Sequence, residues 1–130
     1  MKQMQFKNEY PIYTMTLAKN ETSLKTVGDM LDLIRSKIEM HPVAVYIGLF
    51  DHYVHTSSLK EGKIASDILD AKNILFCFGK ELLVPEVLAV RPRSIGIAER
   101  KDDFVISFLK APNPAANEAM ATWTESLRDQ

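Results

Sequence analysis

Three side chains that can take part in acid–base or metal chemistry stand close together before the middle of the chain. Asp51, His52 and His55 come directly after residues 43–50, an apolar run that predicts a buried strand. Functional side chains are most often displayed where a rigid element ends. On a helical turn that begins at Asp51, both imidazoles would share one face, and the Asp51 carboxylate would cap the free amide groups of that turn.

These three residues allow two interpretations. Together with Glu61 or Cys77, His52 and His55 would form a three-ligand metal site with an open position. The spacing matches no established zinc signature, and a single cysteine is a poor thiolate set. In the other interpretation, Asp51 is a helix cap and His52 is hydrogen-bonded at an interface. The sequence favours this second interpretation and keeps metal binding by His52 and His55 as the alternative.

The one cysteine of the chain, Cys77, lies between Phe76 and Phe78 in a short apolar run. Alternation in a strand places its side chain opposite the two rings, on the face shared with Leu75. A thiol buried in apolar surroundings is unreactive, so the pattern predicts a core residue rather than a nucleophile. A Cys–His pair would need His52 within hydrogen-bond reach, and the sequence leaves that distance open.

A second group of polar residues is cationic. Arg91 and Arg93 flank Pro92, and Lys80 lies on the other side of a short insert. Since the guanidinium group binds carboxylates and phosphates through parallel hydrogen bonds, these residues predict an anion site, with a solvated strand edge as the alternative. No complete catalytic set can be assembled, so no catalytic residue and no cofactor is assigned. The candidate ligand-binding residues are Asp51, His52, His55, Arg91 and Arg93.

The composition of the chain limits the functions in which these residues could take part. The 130 residues of 14.7 kDa predict a single domain spanning residues 1–130, with ordinary fractions of hydrophobic and charged residues, 46% and 25%. A formal charge of −1 counts against nucleic-acid binding. The N-terminus has no apolar core of a signal peptide, and no apolar run reaches the roughly 18–20 residues of a membrane span. We therefore expect a cytoplasmic protein that binds neither membranes nor nucleic acid.

The elements that must position these residues follow from periodicity. The clearest is a helix over residues 23–40, with an apolar stripe at steps of three and four and Thr22 or Ser23 as its cap. Asn113 and Pro114 predict the start of a second helix over residues 114–127. Short helical inserts are expected at about 51–70 and 80–91, and the ordered core at about 10–127. The predicted strands are 10–18, 43–50, 73–78 and a hairpin of 93–99 with 104–110.

With these landmarks in order, the chain resembles a bacterial family of unknown function over roughly residues 10–112. It departs from the family pattern at Gly79-Lys80-Glu81, where the family has Gly-Asn-Pro, and at Arg91, where the family has leucine. The resemblance implies a TATA-binding-protein-like (TBP-like) β-α-β4-α fold and a tendency to form dimers. The matching landmarks are Phe50-Asp51-His52, Ile74-Leu75-Phe76-Cys77-Phe78-Gly79, the strand from Pro92 to Glu99, and Ala111-Pro112.

The predicted fold is thus α+β: a five-stranded, mainly antiparallel curved sheet with the long helix and the C-terminal helix on one face. A homodimer would cover the other face and the edge strand. The predicted function is a non-enzymatic, homodimeric small-molecule-binding or accessory protein with a cleft near Asp51 and His52, whose ligand is a small molecule or an anion. The alternatives are a metal-binding or hydrolytic enzyme that uses His52 and His55, and a structural protein–protein interaction module.

Overall fold

Six strands form one antiparallel sheet in the computed structural model, which describes residues 1–130. Across the sheet the strands follow the order β1-β2-β6-β5-β4-β3. No helix of the molecule is long and apolar enough to span a membrane. The strands are β1 (Lys2–Phe6), β2 (Tyr10–Ala18), β3 (Val45–Asp51), β4 (Asp70–Cys77), β5 (Arg93–Glu99) and β6 (Asp103–Leu109). The helices are α1 (Val27–Met40), α2 (His52–Ser57) and α3 (Pro114–Glu125), with 3₁₀ turns at Lys19–Glu21 and Pro85–Val90.

Strand β1 corrects the expectation of five strands. It pairs with β2 through a tight turn in which Lys7 and Asn8 have φ angles of 53° and 59°. The Glu9 N–H donates to the Phe6 carbonyl at 3.1 Å, which closes the turn. Two residues with positive φ match the right-handed twist of a hairpin. From β2 onward the order is strand, helix, four strands and helix, with α2 inserted after β3.

Helices α1 and α3 cover one face of the sheet. In α1 the apolar stripe Val27, Leu31, Ile34 and Ile38 is buried, as predicted. The helix begins four residues later than expected, because Thr26 is the cap: its Oγ1 accepts a hydrogen bond from Asp29 N at 3.0 Å. Neither predicted cap serves that purpose. Thr22 instead donates its hydroxyl to the Leu127 carbonyl at 2.7 Å, and Ser23 bonds to Asp129.

Helix α3 begins as predicted and ends two residues early, at Glu125. Asn113 caps it by accepting from Ala115 N at 2.8 Å, and Pro114 takes the first helical position. The strands below supply the other half of the core, with β5 and β6 each burying alternate residues. The largest fully buried side chains are Phe76, Phe104, Leu17, Met30, Leu31, Ile34, Ile38, Ile74, Ile95, Ile97, Ile106 and Met120.

Strand β3 is an edge strand, and its expected burial is wrong. Val45, Ile47 and Leu49 are 57%, 52% and 53% exposed. The strand pairs only with β4, so one row of its backbone groups faces outward. Tyr46 is half-buried against the core, but the other large apolar residues of the strand are largely uncovered by the rest of the chain.

Candidate functional site

The segment after β3 is helical, which the sequence left open. Asp51 caps α2 as predicted: its Oδ1 accepts a hydrogen bond from Val54 N at 3.0 Å. Its other oxygen lies 3.9 Å from Lys72 Nζ. The carboxylate of Asp51 thus fixes the start of α2 at the end of the sheet.

His52 and His55 lie on the same side of α2, around the ring of Phe50. The ring centroids of the two histidines are 6.3 Å apart, and each lies 5.3–5.4 Å from that of Phe50. His52 Nδ1 is 2.9 Å from Thr56 Oγ1, and its Nε2 has no protein partner. Two adjoining cavities of about 250 and 200 Å³ are lined by His52.

Cys77 is not brought to these histidines. Along β4, Cys77 pairs with Val45, whereas Asn73 pairs with Phe50 beside α2. Four residues of strand separate the two positions by about 13 Å. No group of three or more His, Cys, Asp or Glu side chains is arranged to hold a metal ion.

The expected orientation of Cys77 is confirmed, but its expected place in the core is wrong. Ile74 and Phe76 are buried under the helices, while Leu75 and Cys77 point to the opposite face and are half-buried. That face has no helix of the core over it. The Cys77 sulfur accepts a hydrogen bond from Gly79 N at 3.2 Å.

Arg91 and Arg93 lie at the other end of the sheet from α2. Arg93 pairs with Phe76 on β4, whereas Ile97 pairs with Lys72, the partner of Asp51. The five predicted ligand-binding residues therefore separate into two groups about 13 Å apart along β5. Arg91 and Arg93 line a cavity of about 130 Å³ between β5, the 3₁₀ turn Pro85–Val90 and the start of α3.

Arg93 is not on a solvated strand edge. Its side chain points toward the helices, on the same face of β5 as Ile95 and Ile97, and is only 9% exposed. Nη1 donates to the Val90 carbonyl at 3.2 Å and Nη2 to that of Leu109, while Nε has no partner. Burial lowers the pKa of Arg93 from its ordinary value. The alternation with two isoleucines is the sequence signal that identifies this burial.

Arg91 is half-buried at the mouth of the same cavity. Its Nη1 donates to the Glu81 carbonyl at 2.6 Å. Gly79 permits this approach, because a Cβ at that position would lie 3.0 Å from Arg91 Nη1. Arg91 also borders a groove of about 540 Å³, whose other walls include Ile47, Cys77 and Leu82.

Sequence reasoning missed the character of the sheet face opposite α1 and α3, which we call the open face. Its central part carries no charged side chain. The signal was present in the sequence as the alternation of small neutral residues with buried ones in β5 and β6. By register, the central residues of the open face are Ile12, Thr14, Thr16, Ala71, Asn73, Leu75, Cys77, Ser94, Gly96, Ala98, Val105, Ser107 and Leu109.

Comparison with known proteins gives a family but no activity. The model of a family described as "Family of unknown function (DUF6858)" matches residues 1–129. No curated protein and no solved structure gives a significant match.

Proposed function

The chain belongs to this family of unknown function, and from its geometry we propose that it is a non-enzymatic accessory or small-molecule-binding protein that works as a homodimer. The open face and the adjoining edge strand β3 form the subunit interface. The observation that carries the proposal is a sheet face with an uncharged central part that continues into an apolar edge strand.

The edge strand is the first support. Val45 and Ile47 are more than half exposed, and Phe50 beside them is 40% exposed. Natural proteins protect long edge strands with charges, prolines or a covering element, because unpaired backbone groups recruit other strands. In β3 the only charged residue is Asp51, at the very end. A partner that covers this strand shields its apolar side chains from water.

A second copy of the chain is the occupant that fits best. In a twofold dimer the same surface meets itself, so a charge near the axis would face its own copy. The uncharged central part of the open face avoids that repulsion. It also offers nothing to a polyanion such as nucleic acid, which is bound through basic side chains.

The area is of the size that a dimer needs. Six strands about 4.8 Å apart, each about seven residues long at about 3.3 Å per residue, make a face on the order of 600 Å². The exposed Leu82 and Leu88 beside Ile47 extend this surface. A standard stable interface buries about 800 Å² on each partner.

The cleft beside Asp51 and His52 is the proposed place for a small molecule. The smaller of the two cavities lined by His52, of about 200 Å³, is also lined by the open-face residues Gly96 and Ser107. A partner subunit on this face would therefore cover a ligand held by His52. The Nε2 atom of His52 has no protein partner and is the group that would bind the small molecule. Metal or hydrolytic chemistry at His52 and His55 is the alternative, and the closeness of their rings favours it.

We also propose that the fold is TBP-like with an added N-terminal strand, and that the chain is bacterial, as the resemblance implies. The order of elements from β2 to α3 supports the first point.

Native mass spectrometry of protein purified without chelators, combined with two variants, tests the proposed function. Ile47→Glu places a charge on the interface at an exposed position, so we expect a folded monomer in place of a dimer. Met40→Glu is the matched control, because Met40 is 79% exposed at the end of α1 and should leave the dimer intact. Circular dichroism checks that both variants fold.

Two results would contradict the proposal. One is a dimer that survives Ile47→Glu, which would place the interface elsewhere. The other is a monomeric parent protein. A metal ion that copurifies with the parent and is lost in His52→Ala would favour the alternative over a non-enzymatic role.

A further inference from the structure

The cavity beside Arg93 contains positive charge that no group of the protein balances. None of the seven ion pairs of the molecule includes Arg91 or Arg93. None of the ten residues that line the cavity is acidic. A buried charge is costly unless it is paired, so an unbalanced guanidinium in this place calls for a counterion.

The guanidinium of Arg93 also has hydrogen-bonding capacity to spare. It carries five N–H groups, of which two donate to carbonyls, so three have no protein partner. One of these is on Nε, which is buried with nothing to accept its proton. Buried donors without an acceptor are rare and cost about 1–3 kcal/mol each, which marks this one as a place for an absent acceptor.

The start of α3 supplies a further donor to the same cavity. Asn113 and Ala116 line it, and the cap uses the Asn113 side chain for Ala115 N. The N–H of Ala116 donates to no protein group. The first turn of a helix of this length attracts anions through such free N–H groups and through the helix dipole.

The walls restrict the ligand to a small organic anion. The hydrophobic half of the lining, which includes Phe78, Val87 and Val90, suits an apolar body better than a fully hydrated inorganic ion. At about 130 Å³ the cavity is smaller than the roughly 300 Å³ at which sites for drug-sized ligands begin. We propose that the cavity beside Arg93 binds a short-chain carboxylate, with its carboxylate on Arg91, Arg93 and the Ala116 N–H.

This site is formed by one chain and does not depend on the homodimer. The first test is an NMR titration of the ¹⁵N-labelled full chain with sodium butyrate, with sodium chloride exchanged to hold ionic strength constant. We expect saturable shifts of the Arg93 Nε–H and Ala116 N–H signals. Shifts that are linear in butyrate, or that chloride reproduces, would overturn the proposal. So would saturation by inorganic phosphate with no response to butyrate.

A matched pair of variants tests the role of the arginines. Arg91 is half-buried and bonded only to a carbonyl, so Arg91→Met should fold and should weaken butyrate binding about tenfold, equivalent to about 1.4 kcal/mol. Arg35→Met makes the same replacement at an exposed position of α1 and should leave the affinity unchanged. Equal affinities in the two variants would overturn the assignment.

Discussion

The side chain of Asn117 joins the segment after β6 to α3, beside the cavity that Arg93 lines. Removing this side chain tests what holds these two elements together. Its Oδ1 accepts a hydrogen bond from Ala111 N at 2.7 Å, and its Nδ2 donates to the Ala111 carbonyl at 2.7 Å. Both residues are buried, and no other group bonds to the backbone of Ala111. Asn117→Ala therefore leaves a buried N–H and a buried C=O without partners.

The expected loss of stability follows from those two groups. A buried polar group that loses its partner costs about 1–3 kcal/mol, so the pair costs about 2–6 kcal/mol. Alanine is the better helix former by about 0.5 kcal/mol, which offsets part of the loss. We expect Asn117→Ala to lower the free energy of unfolding by about 1.5–5.5 kcal/mol, a large share of the roughly 5–15 kcal/mol of a typical domain.

Urea melts followed by circular dichroism measure this change. The control is Thr122→Ala, an exposed position on the same helix, where the expected effect is within about 0.5 kcal/mol. A loss below about 1 kcal/mol for Asn117→Ala would refute the reasoning, because water or a rearranged loop would then satisfy Ala111.

Two further outcomes are expected. Ile34→Ala, in the fully buried stripe of α1, should cost about 2–5 kcal/mol in a urea melt, and a cost below about 1 kcal/mol would mean that α1 packs through another face. A hydrogen bond from the Arg100 guanidinium holds the pKa of Asp103 below its usual range, so this pair stabilises the fold at neutral pH and loses that contribution as the pH falls through the lowered pKa. Asp103→Asn should therefore flatten the acid side of the stability profile, and an unchanged profile from about pH 7 to about pH 3 would contradict it.

Local signals predicted much of the fold. The hairpin of β5 and β6, the strand Tyr10–Ala18 and the caps of α2 and α3 depend on side chains close in sequence to the backbone they position. Strand β1 was missed because its residues are exposed on both faces, so burial imposes no alternation on them. Its turn also lacks the glycine that usually marks a hairpin.

The candidate sites were harder, because they depend on which strands become neighbours. Periodicity reports that β3 is apolar on both faces, but not that it lies at the edge of the sheet. For the same reason, the sequence could not predict that His52 and Arg93 lie at opposite ends of the sheet, because that distance depends on strand register. The burial of Arg93 was within reach, since it alternates with Ile95 and Ile97.

Sedimentation equilibrium of the unmodified chain over a range of micromolar concentrations tests the central claim most directly. If the open face and β3 are covered by a second copy, the mass is twice the chain mass of 14.7 kDa and falls toward that value only on dilution. A mass of 14.7 kDa at every concentration would contradict the account, because the uncharged centre of the open face and the apolar edge strand would then stand exposed in solution.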